Sequence, residues 1–309
     1  MLLLLGSLPS SLGRLPKYKP IQRTCLVDEP SEHLRNTHQW LQQSEPLENN
    51  LWNSSDVQQR QARQIIDRRS HAPNDRRQTF APVYAIDTYI HIVADNSTAD
   101  PSSPNYVTDA MISNQFEYLA NAYVNHSIGF RLLGVDRSIN DTWASNGDDV
   151  GMKSALRRGT YSTLNIYYQS QLQAGPNTPG IPVGSTLLGF CTLPVAGVTA
   201  ATPPDAYVID GCNLLSGTMP SGNMAGYNLG GTTAHEVGHW NGMLHTFNDN
   251  TCDPDNFGDY VADTPQEMTS TSTFSALLTS CPTDTFFGPC FLFFIVIFSP
   301  VSPLLALYG

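Results

Sequence analysis

Five positions that can assemble a metal centre stand at fixed spacing in the eleven residues 235–245, His-Glu-Val-Gly-His-Trp-Asn-Gly-Met-Leu-His. His235 and His239 are four apart, so on a helix they lie one turn apart on one face and can share one ion. Glu236 projects beside them, close enough to work on a water at the metal without being a ligand. A third ligand has to come from another direction to make a tetrahedral zinc site with one position left open, and His245 is placed for that role. Gly242 supplies the turn out of the helix, because glycine enters left-handed conformations without a side-chain penalty. A helix that carries three histidines by accident explains neither Gly242 nor Glu236. The chemistry that fits is hydrolysis by a water that zinc polarises and Glu236 deprotonates.

Such a helix needs a scaffold, and the rest of the chain reads as one. A threonine, Thr232 or Thr233, is placed to cap the motif helix just after Gly230-Gly231, and Trp240, Met243 and Leu244 fall off the metal face as packing residues. Tyr84–Ala94 (YAIDTYIHIVA) is rich in β-branched and aromatic residues and predicts a core strand, with His91 as a hydrogen-bonded core histidine rather than a ligand. Residues 108–125 carry Met111, Ile112, Phe116, Leu119, Ala122 and Tyr123 at helical spacing. Further strands are expected at 128–135, 164–168, 187–193 and 206–209, the last two flanking a Gly/Pro/Ala-rich loop beside a cleft. Strands and helices around one mixed twisted sheet make an α/β (α+β) domain.

Charge and cysteines narrow the class. The 309 residues carry a net charge of −11, but 11 of the 16 basic residues lie at or before Arg77. The remainder has 5 basic and 19 acidic residues, a balance of −14, which argues against nucleic acid as a partner because phosphate contacts need clustered Lys and Arg. None of Cys25, Cys191, Cys212, Cys252, Cys281 and Cys290 forms a C-x-x-C pair, which argues against a cysteine zinc site and a thioredoxin-like redox site. Cys191 with Cys212 and Cys252 with Cys281 are spaced to suit disulfides in an oxidising compartment, with buried free thiols as the alternative. Asn-x-Ser/Thr sequons at Asn53, Asn96, Asn125 and Asn140 permit glycosylation.

The first 77 residues differ from the rest and are expected to be a leader and pro-segment. Met1 to Leu8 holds a short leucine run without a basic flank, a weak signal peptide. Helical patches follow at 32–43 and 56–69, and two Asp-Arg-Arg triplets, at 67–69 and 75–77, offer exposed sites to a processing protease or form a solvated charge cluster.

The motif continues as His245-Thr246-Phe247 and then Gly258-Asp259-Tyr260-Val261-Ala262-Asp263-Thr264-Pro265. With Tyr227-Asn228-Leu229-Gly230, Leu188-Gly189-Phe190-Cys191, Asp210-Gly211-Cys212 and Ser280-Cys281-Pro282, it resembles the pappalysin-like (cytophagalysin) branch of the metzincin zinc proteases, its fungal secreted members above all. The resemblance implies a metzincin-type zincin fold and a secreted endopeptidase acting on proteins or peptides, made as a zymogen. It implies His235, His239 and His245 as zinc ligands, Glu236 as general base, and a Cys252–Cys281 disulfide. A calcium ion is a softer implication, with Asp253, Asp255, Asp259, Asp263 and the carbonyl of Thr264 as oxygen ligands. Cys25 resembles a cysteine-switch latch that occupies the open zinc position, with a structural disulfide as the competing reading.

The resemblance places a catalytic domain at 78–285 and stops near Thr285. The Met-turn and closing helix expected there are replaced by an uncharged tail, 286–309, so the C-terminal subdomain reads as truncated. Phe291 to Phe298 is continuously apolar, but Gly288, Pro289, Pro300 and Pro303 interrupt the tail, and a membrane span needs about 20 apolar residues, so no membrane is expected. The alternative to a working endopeptidase is a truncated protein that binds zinc without catalysis, or an interaction module.

Overall fold

The computed structural model describes residues 25–26, 29–44, 84–253, 258–260, 267–270 and 281. Among these residues six strands form one mixed sheet: β1 (Cys25–Leu26), β2 (Tyr84–Ala94), β3 (Ile128–Ile139), β4 (Leu164–Gln169), β5 (Gly189–Cys191) and β6 (Cys212–Leu215). Their order is β1-β5-β6-β4-β2-β3. β3, β2, β4 and β6 run parallel to one another, whereas β5 is antiparallel to β6, and β1 pairs parallel to β5. Five strands thus come from residues 84–215 and the two-residue sixth comes from the N-terminal segment.

Among the described residues the helices are α1 (Glu32–Ser44), α2 (Asp109–Tyr123), α3 (Asp141–Ala144), α4 (Asp149–Leu156) and α5 (Gly231–Trp240). Helix α2 starts where its cap dictates: the Thr108 hydroxyl accepts the amide of Met111. It buries Ile112, Gln115, Leu119 and Tyr123, residues spaced to share one face. That face lies on α5: Gln115 donates to the carbonyl of Gly230 (3.0 Å) and the Tyr123 hydroxyl donates to that of Ala234 (2.8 Å). Ala234, Val237 and Trp240 of α5 join Ile166, Tyr168 and Leu214 of the sheet in the main core. Every residue of β4 and β6 is buried, as central strands covered on both faces should be.

Several expectations change at the boundaries. β3 runs four residues beyond the predicted 128–135, held by its register with β2. Residues 206–209 are not a strand. Pro203 and Pro204 preset the backbone for a 3₁₀ turn at Pro204–Tyr207, and the strand begins after Gly211 instead. The strand expected over 187–193 shortens to three residues. Thr232 and Thr233 do not cap α5; Gly230, in the left-handed region at φ 92°, is the cap residue, and the Thr233 hydroxyl bonds that of Tyr168 at 2.8 Å. The patch at 32–43 is α1; the one at 56–69 lies outside the described residues. Among the described residues no helix is long and apolar enough to cross a membrane.

Candidate metal centre

Helix α5 presents His235 and His239 one turn apart, as their spacing requires. Gly242, at φ 93°, then reverses the chain, with its amide on the carbonyl of His239 (2.8 Å) and that of Met243 on Gly238 (2.9 Å). This turn carries His245 back to the first two rings. The Nε2 atom of His239 lies 3.1 Å from that of His235 and 3.1 Å from that of His245, and the third edge of the triangle is 3.3 Å. Three nitrogens on one face of a tetrahedron with zinc–nitrogen bonds of about 2.0 Å stand about 3.3 Å apart, so the triangle fits a zinc ion. Among the described residues this is the one group of three or more histidine, cysteine or carboxylate ligands that could hold a metal.

The surroundings prepare the rings as ligands. His239 donates its Nδ1 proton to the carbonyl of Met243 at 2.7 Å, which leaves the lone pair on Nε2, facing the other two rings. Burial lowers the pKa of His239 to about 4 and, together with the His239 ring, that of His245 to about 3. Burial, then the other two rings, puts His235 well below its ordinary value. All three are neutral at neutral pH, the state that binds metal. His245 stacks on Phe247 with ring centroids 4.4 Å apart.

Glu236, 1% exposed, packs against β5: a Cβ atom at Gly189 would sit 2.8 Å from its Cγ. Disulfides join Cys191 to Cys212, across β5 and β6, and Cys252 to Cys281, after the third histidine. His91 is the core histidine expected, fully buried, with its ring nitrogens 2.9 Å from Asp136 and 3.0 Å from Asn165.

The edge of β5 is not free in this chain. The backbone of Cys25 pairs with Gly189, and that of Leu26 with Phe190. Behind β1, helix α1 docks beside the histidine turn: Leu34 is buried with Leu193 and Leu244, and His38 donates to the carbonyl of Gly242 at 2.8 Å. The Cys25 thiol lies outside what is described, as do Asp255, Asp263 and Thr264, Cys290 and the tail 286–309; Asp253 and Asp259 are within it.

Residues 159–295 match the Peptidase M43 family, described as pregnancy-associated plasma protein-A. The chain is 45% identical over 222 residues to an extracellular metalloprotease of Aspergillus oryzae, covering 68% of each protein. It is 46% identical over 230 residues to one from Aspergillus fumigatus, covering 70% of each. A further relative, the extracellular metalloprotease of Sordaria macrospora, is 39% identical over 204 residues, 66% of this chain and 64% of that one. The chain belongs to the pappalysin-like M43 family. Its α/β sheet and motif helix are the metzincin-type zincin arrangement that membership implies, and the family match runs across residue 285 to 295.

A further element of this M43 site gave no signal in the motif. Trp240, expected only to pack, donates its indole N–H to Oδ1 of Asp210 (3.0 Å), which also accepts from Thr192 (3.1 Å) beyond the end of β5. Oδ2 of Asp210 pairs with Arg157 of the turn after α4 at 3.1 Å, both side chains being 7% exposed. Asp210 thus ties the last residue of the motif helix to the strand beside it. The buried Trp next to His239 was a signal that an N–H partner must exist, but nothing local named Asp210.

Proposed function

We propose that this chain is a secreted zinc-dependent endopeptidase that hydrolyses peptide bonds in proteins, with His235, His239 and His245 as zinc ligands and Glu236 as the general base. The observation that carries this reading is the triangle of Nε2 atoms, 3.1, 3.1 and 3.3 Å on its edges. Zinc bound there supplies a Lewis acid that polarises water and the scissile carbonyl. The Met243 carbonyl fixes the His239 tautomer. Glu236, within the motif helix and screened from bulk solvent, takes a proton from the attacking water and returns it to the leaving nitrogen. An extended peptide adds to the edge of β5 by main-chain pairing.

That edge is where β1 sits, which supports reading residues 1–77 as a leader and pro-segment, 78–285 as the catalytic domain, and the protein as a zymogen. Cleavage after the Asp-Arg-Arg triplets would release α1 and β1 and vacate the edge. The secreted location follows the relatives' extracellular naming and is supported by two disulfides. Calcium at Asp253 and Asp259 with Asp255, Asp263 and Thr264 belongs to the same proposal. The test of the chemistry is Glu236→Gln, an amide that cannot take the proton. It should keep zinc and lose at least about 100-fold of casein hydrolysis. A zinc-loaded variant with a tenth or more of the wild-type rate would remove Glu236 from the role.

A further inference from the structure

We infer that Phe247 is a positioning residue for the third zinc ligand: its ring holds the plane of the His245 imidazole, so that Nε2 stays turned toward His235 and His239. This deepens the reading of the three histidines as zinc ligands and rests on it. The His245 and Phe247 rings stack with centroids 4.4 Å apart and planes 14° from parallel. The His235 ring also lies near-parallel to that of His245, at 5.3 Å and 22°.

The ligands are not held alike. His235 and His239 stand on α5, and His239 is locked further by its Nδ1 bond to the Met243 carbonyl at 2.7 Å. His245 lies outside the helix, beyond the left-handed Gly242. Among the described residues its ring nitrogens meet only the Nε2 atoms of His239 and His235, at 3.1 and 3.3 Å. Rotation about the bond to an imidazole ring is soft, with broad wells. Ligating histidines usually gain their orientation from a hydrogen bond at the second nitrogen. Here a flat ring face takes that part.

Phe247 can serve because its own backbone is held. The Asn248 amide bonds the His245 carbonyl (2.9 Å), closing a turn that brings residues 245 and 247 together. The Thr246 carbonyl accepts from the Glu267 amide (3.0 Å) and the Phe247 carbonyl from that of Asn250 (3.0 Å). The Cys252–Cys281 disulfide anchors the chain that follows. The stack also favours the metal-bound state. Coordination draws electron density from the imidazole, and the negative face of a phenyl ring attracts an electron-poor neighbour.

The experiment is the zinc affinity of the full chain, read by competition with a chromogenic chelator, for the wild type and for Phe247→Ala, Phe247→Leu and Phe247→Tyr. The Ala and Leu variants should bind zinc on the order of 10-fold more weakly, and the Tyr variant within about twofold of the wild type. With cobalt in place of zinc, the visible absorption of Phe247→Leu should change while that of Phe247→Tyr matches the wild type. Leucine fills space without a ring face, so a role in packing alone would leave its affinity and spectrum unchanged, and that result would overturn the inference. A Tyr variant as weak as the Leu variant would overturn it too. If Phe247→Ala does not fold, the comparison of Leu with Tyr decides alone. A wild-type chain that takes up no metal would overturn the ligand reading itself, whereas equal affinity in the wild type and Phe247→Leu overturns only the role of Phe247.

Discussion

Replacing Arg157 by Met should unfold the chain early, and the size and pH dependence of the effect follow from one buried carboxylate. Asp210 holds three partners: Trp240 at 3.0 Å, Thr192 at 3.1 Å and the Arg157 guanidinium at 3.1 Å. Arg157 is the charged one, and it also donates to the carbonyls of Asp210 (3.2 Å) and Thr160 (2.9 Å) and lies over the Tyr207 ring. Methionine keeps most of the volume and none of the charge. A buried carboxylate left without its cation costs about 3–5 kcal/mol. For a domain of this size each kcal/mol shifts Tm by about 2–4 °C, so the fall expected at pH 7 is roughly 6–20 °C. Burial already raises the Asp210 pKa, and Arg157 is the strongest influence opposing that rise. Its loss raises the pKa further. A carboxyl whose folded pKa lies above its unfolded one favours the native state when protonated. The gap between variant and wild type should therefore narrow as pH falls from 7 toward 5. Differential scanning calorimetry of both metal-free proteins across that range measures it. A shift under about 2 °C at pH 7 would refute the buried charge pair, and a large gap that stays constant with pH would assign the cost to packing instead.

Two other outcomes follow from the same geometry. The metal-free wild type should lose stability as pH falls below about 6.5, because the unfolded histidines take up protons that the folded ones, with His239 near 4 and His245 near 3, refuse; urea midpoints between pH 8 and 4 should decline, and a flat profile would contradict the burial of these rings. Leu34→Ala removes a side chain 1% exposed and should weaken the docking of α1 by about 2–5 kcal/mol, seen as faster amide exchange over residues 29–44 and higher casein hydrolysis by the zinc-loaded chain; no change in exchange would mean that α1 is not held by Leu34.

The parts of the fold that sequence made legible are those with a local cause. Tyr84–Ala94 alternates and branches like a strand, and Thr108 followed by apolar residues at helical spacing marks the start of α2. The motif fixed the three histidines by metal geometry alone, and Gly242 by the turn it must make. Local rules failed where tertiary contact decided. Residues 206–209 look like a strand by composition, yet the two prolines before them turn the chain. Thr233 has the chemistry of a cap, but Tyr168 takes its hydroxyl. Asp210, His38 and Gly189 lie against Trp240, Gly242 and Glu236 from 30, 204 and 47 positions away, and no spacing rule reaches that far.

The central claim is that three histidines hold one zinc. Elemental analysis of the purified, folded chain should find about one zinc per protein, and His239→Ala, which leaves two protein ligands, should lose it while the sheet's circular-dichroism signal persists. A folded wild-type chain without zinc, or a His239→Ala variant that keeps a full equivalent, would contradict the claim.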